Sequence, residues 1–203
     1  MKEADKILIG AAQLFMRIGI KSVSMDDIAR EVGVSKKTIY KNFKDKKDLV
    51  RRVIESDINN EMQACHECYD TRGNAIQKMI DLSKHISHRH RDINPTIVYD
   101  LQKYYPGEWE LMEKFRNEFI QNSILHNIKE GIAEGLYRNE INPELTSQMY
   151  VTLIQGLISL LGKRNTNHTF RALHLEMVSY HLHAVCTVEG REYLSQHINE
   201  ITD

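Results

Sequence analysis

An all-α fold is what the sequence predicts, and three observations carry that expectation. Three prolines and ten glycines in 203 residues leave little material for turns. Apolar residues recur at three- and four-residue spacing along most of the chain, the period of a helix face. No stretch of useful length alternates apolar and polar residues as a half-buried strand does. The expected architecture is a three-helix N-terminal head carrying a helix-turn-helix, followed by a larger helical body, with about nine or ten helices altogether.

The head can be justified element by element. From about Ala4 to Ile18, the residues Ile7, Leu8, Ala11, Leu14, Phe15 and Ile18 share one face, and Gly19 supplies a left-handed stop. In "SMDD", Ser24 caps free amides and Asp27 completes a capping box, opening a second helix that buries Ile28, Ala29 and Val32 and ends at Gly33. Ser35 caps a third helix with Ile39 and Phe43 inward. Asp45, with Asp48 three residues on, opens a fourth. Further helices are read at about 46–69, 74–90, 95–104, 107–136, 143–162, 168–186 and 189–198. The division expected is a head over residues 1–47 and a body over 48–203.

Charge separates the same two regions. The first 52 residues hold thirteen Lys/Arg and seven Asp/Glu, a net of +6, so the remaining 151 carry −7 within a total of −1. A cationic head on an acidic body points toward a polyanionic partner. A helix, a glycine turn and a second helix opening "SKKTIYK" have the sequence form of a helix-turn-helix, whose second helix presents its N-terminal side chains to the major groove. Ala29 is small where the two helices cross, and Gly33 sits where the turn needs positive φ. Lys36, Lys37, Thr38, Tyr40 and Lys41 then point outward as donors to phosphates or base edges. The competing reading is an amphipathic helix pair with solvated lysines. The capped turn and the one-sided lysines weigh against it.

The stretch from Phe15 to Leu49, "FMRIGIKSVSMDDIAREVGVSKKTIYKNFKDKKDL", resembles the DNA-binding domain of the TetR family of bacterial transcriptional regulators. The landmarks are Phe15, Gly19, Ser24, Ile28, Ala29, Gly33, Val34, Tyr40, Phe43, Lys46 and Leu49. The resemblance implies a homodimer with a small reading head and a helical domain that senses a ligand. By position it implies DNA contacts from Ser24, Ser35, Lys36, Lys37, Thr38, Tyr40, Lys41 and Lys46, with Ser24 and Lys46 on phosphates at helix N-termini. Asn42 departs from the histidine common in the family, and Lys37 departs from a small residue.

In the body, "LTSQMYVTLIQGLISLL" and "FRALHLEMVSYHLHAVC" are apolar on two faces. One face of each suits its own domain and the other a partner, giving a four-helix dimer interface. The expected interface comprises Leu153, Leu157, Leu160 and Leu161 from the first, and Leu173, Met177, Tyr180, His181 and Ala184 from the second. A monomeric core is the alternative. The richest aromatic patch, "DLQKYYPGEWELMEKF", lies between head and interface. With upstream residues it offers Met62, Cys65, Tyr69, Met79, Tyr99, Tyr104, Trp109, Met112, Phe115 and Phe119 as the lining of an effector cavity. Ordinary core packing is the plainer reading, and the family resemblance favours a cavity.

"CHEC" at Cys65 and Cys68, with His85, His88 and His90 further on, invites a metal or redox reading, although CxxC within a helix and without a second pair is a weak zinc signal. Three cysteines argue against a disulfide framework and fit a reducing cytoplasm. The opening "MKEADKILIGAAQLF" does not read as an export signal. The longest strongly apolar run, Leu153–Gly162, falls short of the roughly 20 residues of a membrane span. No nucleophile–base spacing, glycine-rich phosphate loop or paired-carboxylate motif points to an enzyme, and no cofactor is expected. The expectation is a cytoplasmic homodimeric regulator, a repressor that leaves palindromic double-stranded DNA when a small-molecule effector binds. A metal or redox sensor, or a DNA-binding regulator without an inducer, are the alternatives.

Overall fold

The computed structural model describes residues 2–69, 73–90, 94, 96–161 and 168–198. Eleven α-helices and one π-helical segment make up this part, and the only β pairing among the described residues is an isolated bridge between Tyr137 and Cys186. Helix α1 (Glu3–Ile18), α2 (Met25–Val32) and α3 (Lys36–Asn42) form the head. Helix α4 (Lys46–Tyr69) leaves it for the body. There follow α5 (Ala75–Arg89), α6 (Thr96–Tyr104), α7 (Pro106–Lys114), the π segment Phe115–Ile120 and α8 (Gln121–Ala133). Helices α9 (Pro143–Leu161), α10 (Phe170–Val185) and α11 (Val188–His197) complete the body.

The expected single helix over 107–136 is therefore three pieces. Pro106 starts α7 at a position where its missing N–H costs nothing. The π turn then widens the backbone over Phe115–Ile120. At the far end Gly135, at φ 73°, turns the chain so that Tyr137 can bridge Cys186. The Tyr137 hydroxyl donates to Asn127 Oδ1 (3.2 Å), and Asn127 Nδ2 donates to the Ala75 carbonyl (2.8 Å). This buried chain of polar groups fixes α8 against the start of α5.

Two apolar clusters organise the packing. The first joins α1, α2 and α3 through Ile7, Phe15, Ile28, Ile39 and Phe43, and continues into α4 with Leu49, Val50, Val53 and Ile54 and into α6 with Ile97 and Leu101. The head core thus runs past residue 47. The second joins α5, α8, α9, α10 and α11 around Ile80, Ile128, Tyr150 and Leu182.

Candidate nucleic-acid interface and effector cavity

The helix-turn-helix is built by local capping. Ser24 Oγ accepts the Asp27 N–H (3.1 Å), while the Asp27 carboxylate accepts from the Ser24 N–H (2.9 Å) and hydroxyl (2.6 Å). The Ser24 hydroxyl and backbone hydrogen bonds hold the Asp27 carboxyl below its ordinary value. Gly33 adopts φ 72°, ψ 35°, and the N–H groups of Gly33 and Val34 both donate to the Ala29 carbonyl. Ser35 Oγ accepts the Thr38 N–H (3.0 Å) and also lies 2.8 Å from the Thr38 hydroxyl. Each such cap contributes about 1 kcal/mol.

Helix α3 buries Ile39 and turns Lys36, Lys37, Tyr40 and Lys41 to solvent. Lys36 Nζ pairs with Asp26 (2.8 Å), an exposed contact that a phosphate can replace at little cost. Among the described residues, Lys37 and Lys41 make no hydrogen bond or ion pair, so their charge is available. Asn42 ties the far end of α3 to α1, its amide donating to Glu3 (3.1 Å) and to the Thr38 carbonyl (2.9 Å). Lys46, expected on a phosphate, is engaged within the head. Its ammonium donates to the Ile20 carbonyl (2.7 Å) and burial lowers its pKa. The same ammonium lies 3.4 Å from the Lys21 carbonyl, so it braces the α1–α2 turn against the start of α4.

The body encloses a cavity of about 160 Å³ between α4, α5, α6, α7, the π segment, α8, α9 and α10. Of the lining expected from the sequence, Cys65, Trp109, Met112, Phe115 and Phe119 face it. Four others do not. Met79 is packed in the second apolar cluster. Met62 lies in a separate surface groove beside α7. Tyr99 and Tyr104 stand on the outer face of α6, where Lys103 donates to the Tyr99 hydroxyl (2.7 Å) and Lys21 to that of Tyr104 (2.8 Å). The side chain of Tyr69 lies outside the described residues.

Part of the expected dimer face is buried within the protomer. Leu157 and Leu161 line the cavity, and Met177 and His181 are buried in the protomer's own core. Leu153, Leu160, Tyr180 and Ala184 remain exposed and Leu173 is half-buried. The apolar stripe on the outside of α9 is instead completed by Leu145 and Met149.

Of the charged floor of the cavity, sequence reasoning named only His90, as a possible metal ligand. Arg89 is paired with Asp57, and His90 Nε2 lies 2.5 Å from Glu61. Burial opposes charge on both members of the second pair. Their hydrogen bond and the attraction between opposite charges together outweigh it, holding His90 above and Glu61 below its ordinary value. Asp57, Glu61 and His90 are also the described residues whose donor atoms gather closely enough for a metal. Cys65, Cys68, His85 and His88 form no such group among the described residues. Burial also pushes the Cys65 thiol up and that of Cys68 to about 11, which disfavours the thiolate a metal needs.

Helix α6 connects cavity and head. Ile97, Val98 and Leu101 line the cavity. Thr96 and Asp100, on an adjacent face, meet the α1–α2 turn. Asp100 is buried and its carboxylate accepts the Lys21 N–H (2.7 Å). Gly19, at φ 84°, has no room for a side chain, since a Cβ there would stand 2.5 Å from the Thr96 hydroxyl. Asn94 adds two bonds, its N–H to the Met16 carbonyl (3.0 Å) and its amide to that of Arg17 (3.2 Å). We expect Asp100→Ala to destabilise the protein by about 1–2 kcal/mol, the cost of leaving a partly buried N–H without its acceptor. Amide exchange at Lys21 should accelerate, whereas Asp100→Asn, which keeps an acceptor, should stay close to wild type.

A capped helix-turn-helix with a free cationic recognition face, mounted on an all-helical body, defines a DNA-binding regulator. Its head matches the DNA-binding domain of the TetR family of bacterial transcriptional regulators. Residues 7–53 match the family model described as "Bacterial regulatory proteins, tetR family". Beyond the head, the chain is similar to the HTH-type transcriptional regulator YvaF of Bacillus subtilis, at 28% identity over 149 residues, 72% of this chain and 76% of that one. It is likewise 28% identical over 155 residues to the fatty acid metabolism regulator protein of Bacillus subtilis, covering 75% of this chain and 78% of the relative. Among solved structures, a transcriptional regulator from Cytophaga hutchinsonii shares the fold, with a TM-score of 0.72 and 19% identity over 90% of this chain and 98% of that one. No described helix is long and apolar enough to cross a membrane.

Proposed function

We propose that the protein is a homodimeric repressor that holds a palindromic DNA operator and lets go when a small molecule fills the body cavity. Residues 1–47 read DNA and residues 48–203 sense and dimerise. The observation that carries this reading is the shared position of α6, one side in the cavity wall and the other in hydrogen-bonded contact with the head. A ligand that favours one placement of α6 therefore favours one orientation of the head. In a dimer, re-aiming two heads changes their separation, and half-sites must lie about one helical turn, or a multiple, apart. The exposed stripe on α9, with Tyr180 on α10, is the surface we assign to the partner copy.

The DNA half of the proposal is tested by selecting bound fragments from genomic DNA and titrating the best one with salt. The contacts expected from Lys36, Lys37 and Lys41 are cationic, so the logarithm of affinity should fall steeply and linearly with the logarithm of salt concentration. Lys37→Ala should reduce the slope by about one per head and relax base preference near that side chain. A salt-independent affinity would show that α3 does not face the phosphates. Release of the same fragment in a metabolite screen tests the effector half.

A further inference from the structure

We propose that the effector is an amphiphile, an alkyl-like body bearing a carboxylate or phosphate head, and that Arg116 takes the head's charge. This deepens the reading of the cavity as the effector site and rests on it. Arg116 is only 4% exposed, lies on the π segment and lines the cavity. Its guanidinium sits 4.8 Å from the Trp109 ring centroid, which holds the plane of the fork without satisfying its donors. Among the described residues no hydrogen bond or ion pair reaches it, and its Nε is buried without an acceptor.

The other charges of the cavity are already matched. Asp57 has Arg89, and Glu61 has His90. Glu113 and Glu61 are near enough for Arg116 to feel them, but neither comes within ion-pairing distance. Among the described residues the floor therefore holds one cation in excess. An unpaired buried charge costs several kcal/mol, and a water molecule can satisfy its N–H groups but cannot neutralise it. An anion presented to the fork recovers that cost and gains charge-assisted hydrogen bonds. The rest of the wall is mostly apolar, with Leu82, Ile86, Leu157 and Leu161 suited to hydrocarbon and His85, Ser123, Tyr150 and His174 as its polar exceptions. Such a cavity gives an alkyl body contact over most of its surface, and an uncharged molecule sets no charge against Arg116.

The π turn is the device that presents this residue. Phe115 and Arg116, Phe119 and Ile120, and Ser123 and Ile124 all line the cavity, in pairs four residues apart. A regular α-helix drifts off one face at that spacing. A wider turn compensates and keeps Arg116 on the inner side between two phenylalanines.

The test uses the full-length protein and four probes: octanoate, octyl phosphate, 1-octanol and octyltrimethylammonium. Trp109 is the only tryptophan, so its fluorescence reports binding beside Arg116, and calorimetry gives an independent isotherm. One or both anions should bind about tenfold or more tighter than octanol, and the ammonium compound weaker than octanol. In Arg116→Met the anion advantage should shrink to about twofold or less, with octanol binding retained as evidence of a folded cavity. Equal binding of anions and octanol by the unmodified protein overturns the assignment, whatever the variant does. So does an undiminished preference in Arg116→Met. Failure of all four probes to bind removes the effector cavity itself, and the assignment with it. Binding is read without DNA, so an anion that binds selectively yet leaves the protein on its operator counts against the release mechanism and not against Arg116.

Discussion

A Leu153→Arg, Leu160→Arg variant is expected to run as a monomer in light scattering and to lose operator affinity by about two to four orders of magnitude, the advantage that linking two binding modules confers. Both leucines are exposed, at 41% and 47%, so the substitutions leave the protomer's core in place. They form one stripe with Leu145 and Met149, exposed at 59% and 66%, on a helix whose opposite side is buried through Tyr150, Leu157 and Leu161. Two arginines facing their symmetry mates put like charges into what should be an apolar contact, a penalty no rim contact offsets. Urea unfolding of the variant, extrapolated to the monomer, should match the wild-type protomer. A variant that stayed dimeric would place the interface on another surface.

The second large effect is acid sensitivity. Burial pushes His174 and His181 down to about 4 from an ordinary 6.5. His174 is held by Ser87 (3.0 Å) and stacks on Phe170, and His181 meets Tyr150 edge-on, 4.9 Å between centroids. Neither contact offers an anion to an imidazolium, and for His174 the favourable field of Glu61 is opposed by that of His90. As pH falls below about 6.5 the unfolded chain takes up these protons while the folded one refuses them until about 4, so stability drops throughout that window. The loss is about 2 kcal/mol per histidine at pH 5 and about 3 kcal/mol by pH 4. His90 acts in the opposite sense. Its contribution is full below its ordinary value and is lost as pH rises through its elevated folded value. Glu61, held low, contributes above its ordinary value and loses that contribution on further acidification. Urea midpoints should therefore fall sharply from pH 7 to pH 5, and His181→Leu should remove about half of the histidine share of that fall.

What the sequence disclosed was set by how local each determinant is. The caps at Ser24 and Ser35 and the turn at Gly33 act within a few residues, so the helix-turn-helix and most helix ranges were readable. The brace from Lys46 to the α1–α2 turn was not, because its carbonyl partners lie more than twenty residues earlier in the chain. Aromatic richness located the cavity region but not its walls. The faces of α6 are decided by tertiary contact, and the cations of Lys21 and Lys103 hold Tyr104 and Tyr99 outside. The faces of α9 were similarly ambiguous, since leucines run around its circumference. Arg116 did leave a trace. A cation flanked by Phe115 and Phe119 sits on the apolar side of its helix, where a solvated basic residue has no reason to be.

The continuity of the first apolar cluster from α1 through α4 into α6 bears on engineering. Regulators of this architecture invite chimeras in which one reading head is spliced to a foreign sensor. A splice after residue 47 would cut through this joint, removing Val50, Ile54 and Leu101 from the cluster that holds Ile28, Ile39 and Phe43. A working hybrid has to transplant the opening turns of α4 and recreate the α6 surface on the recipient. The portable unit is thus a discontinuous block, not a segment.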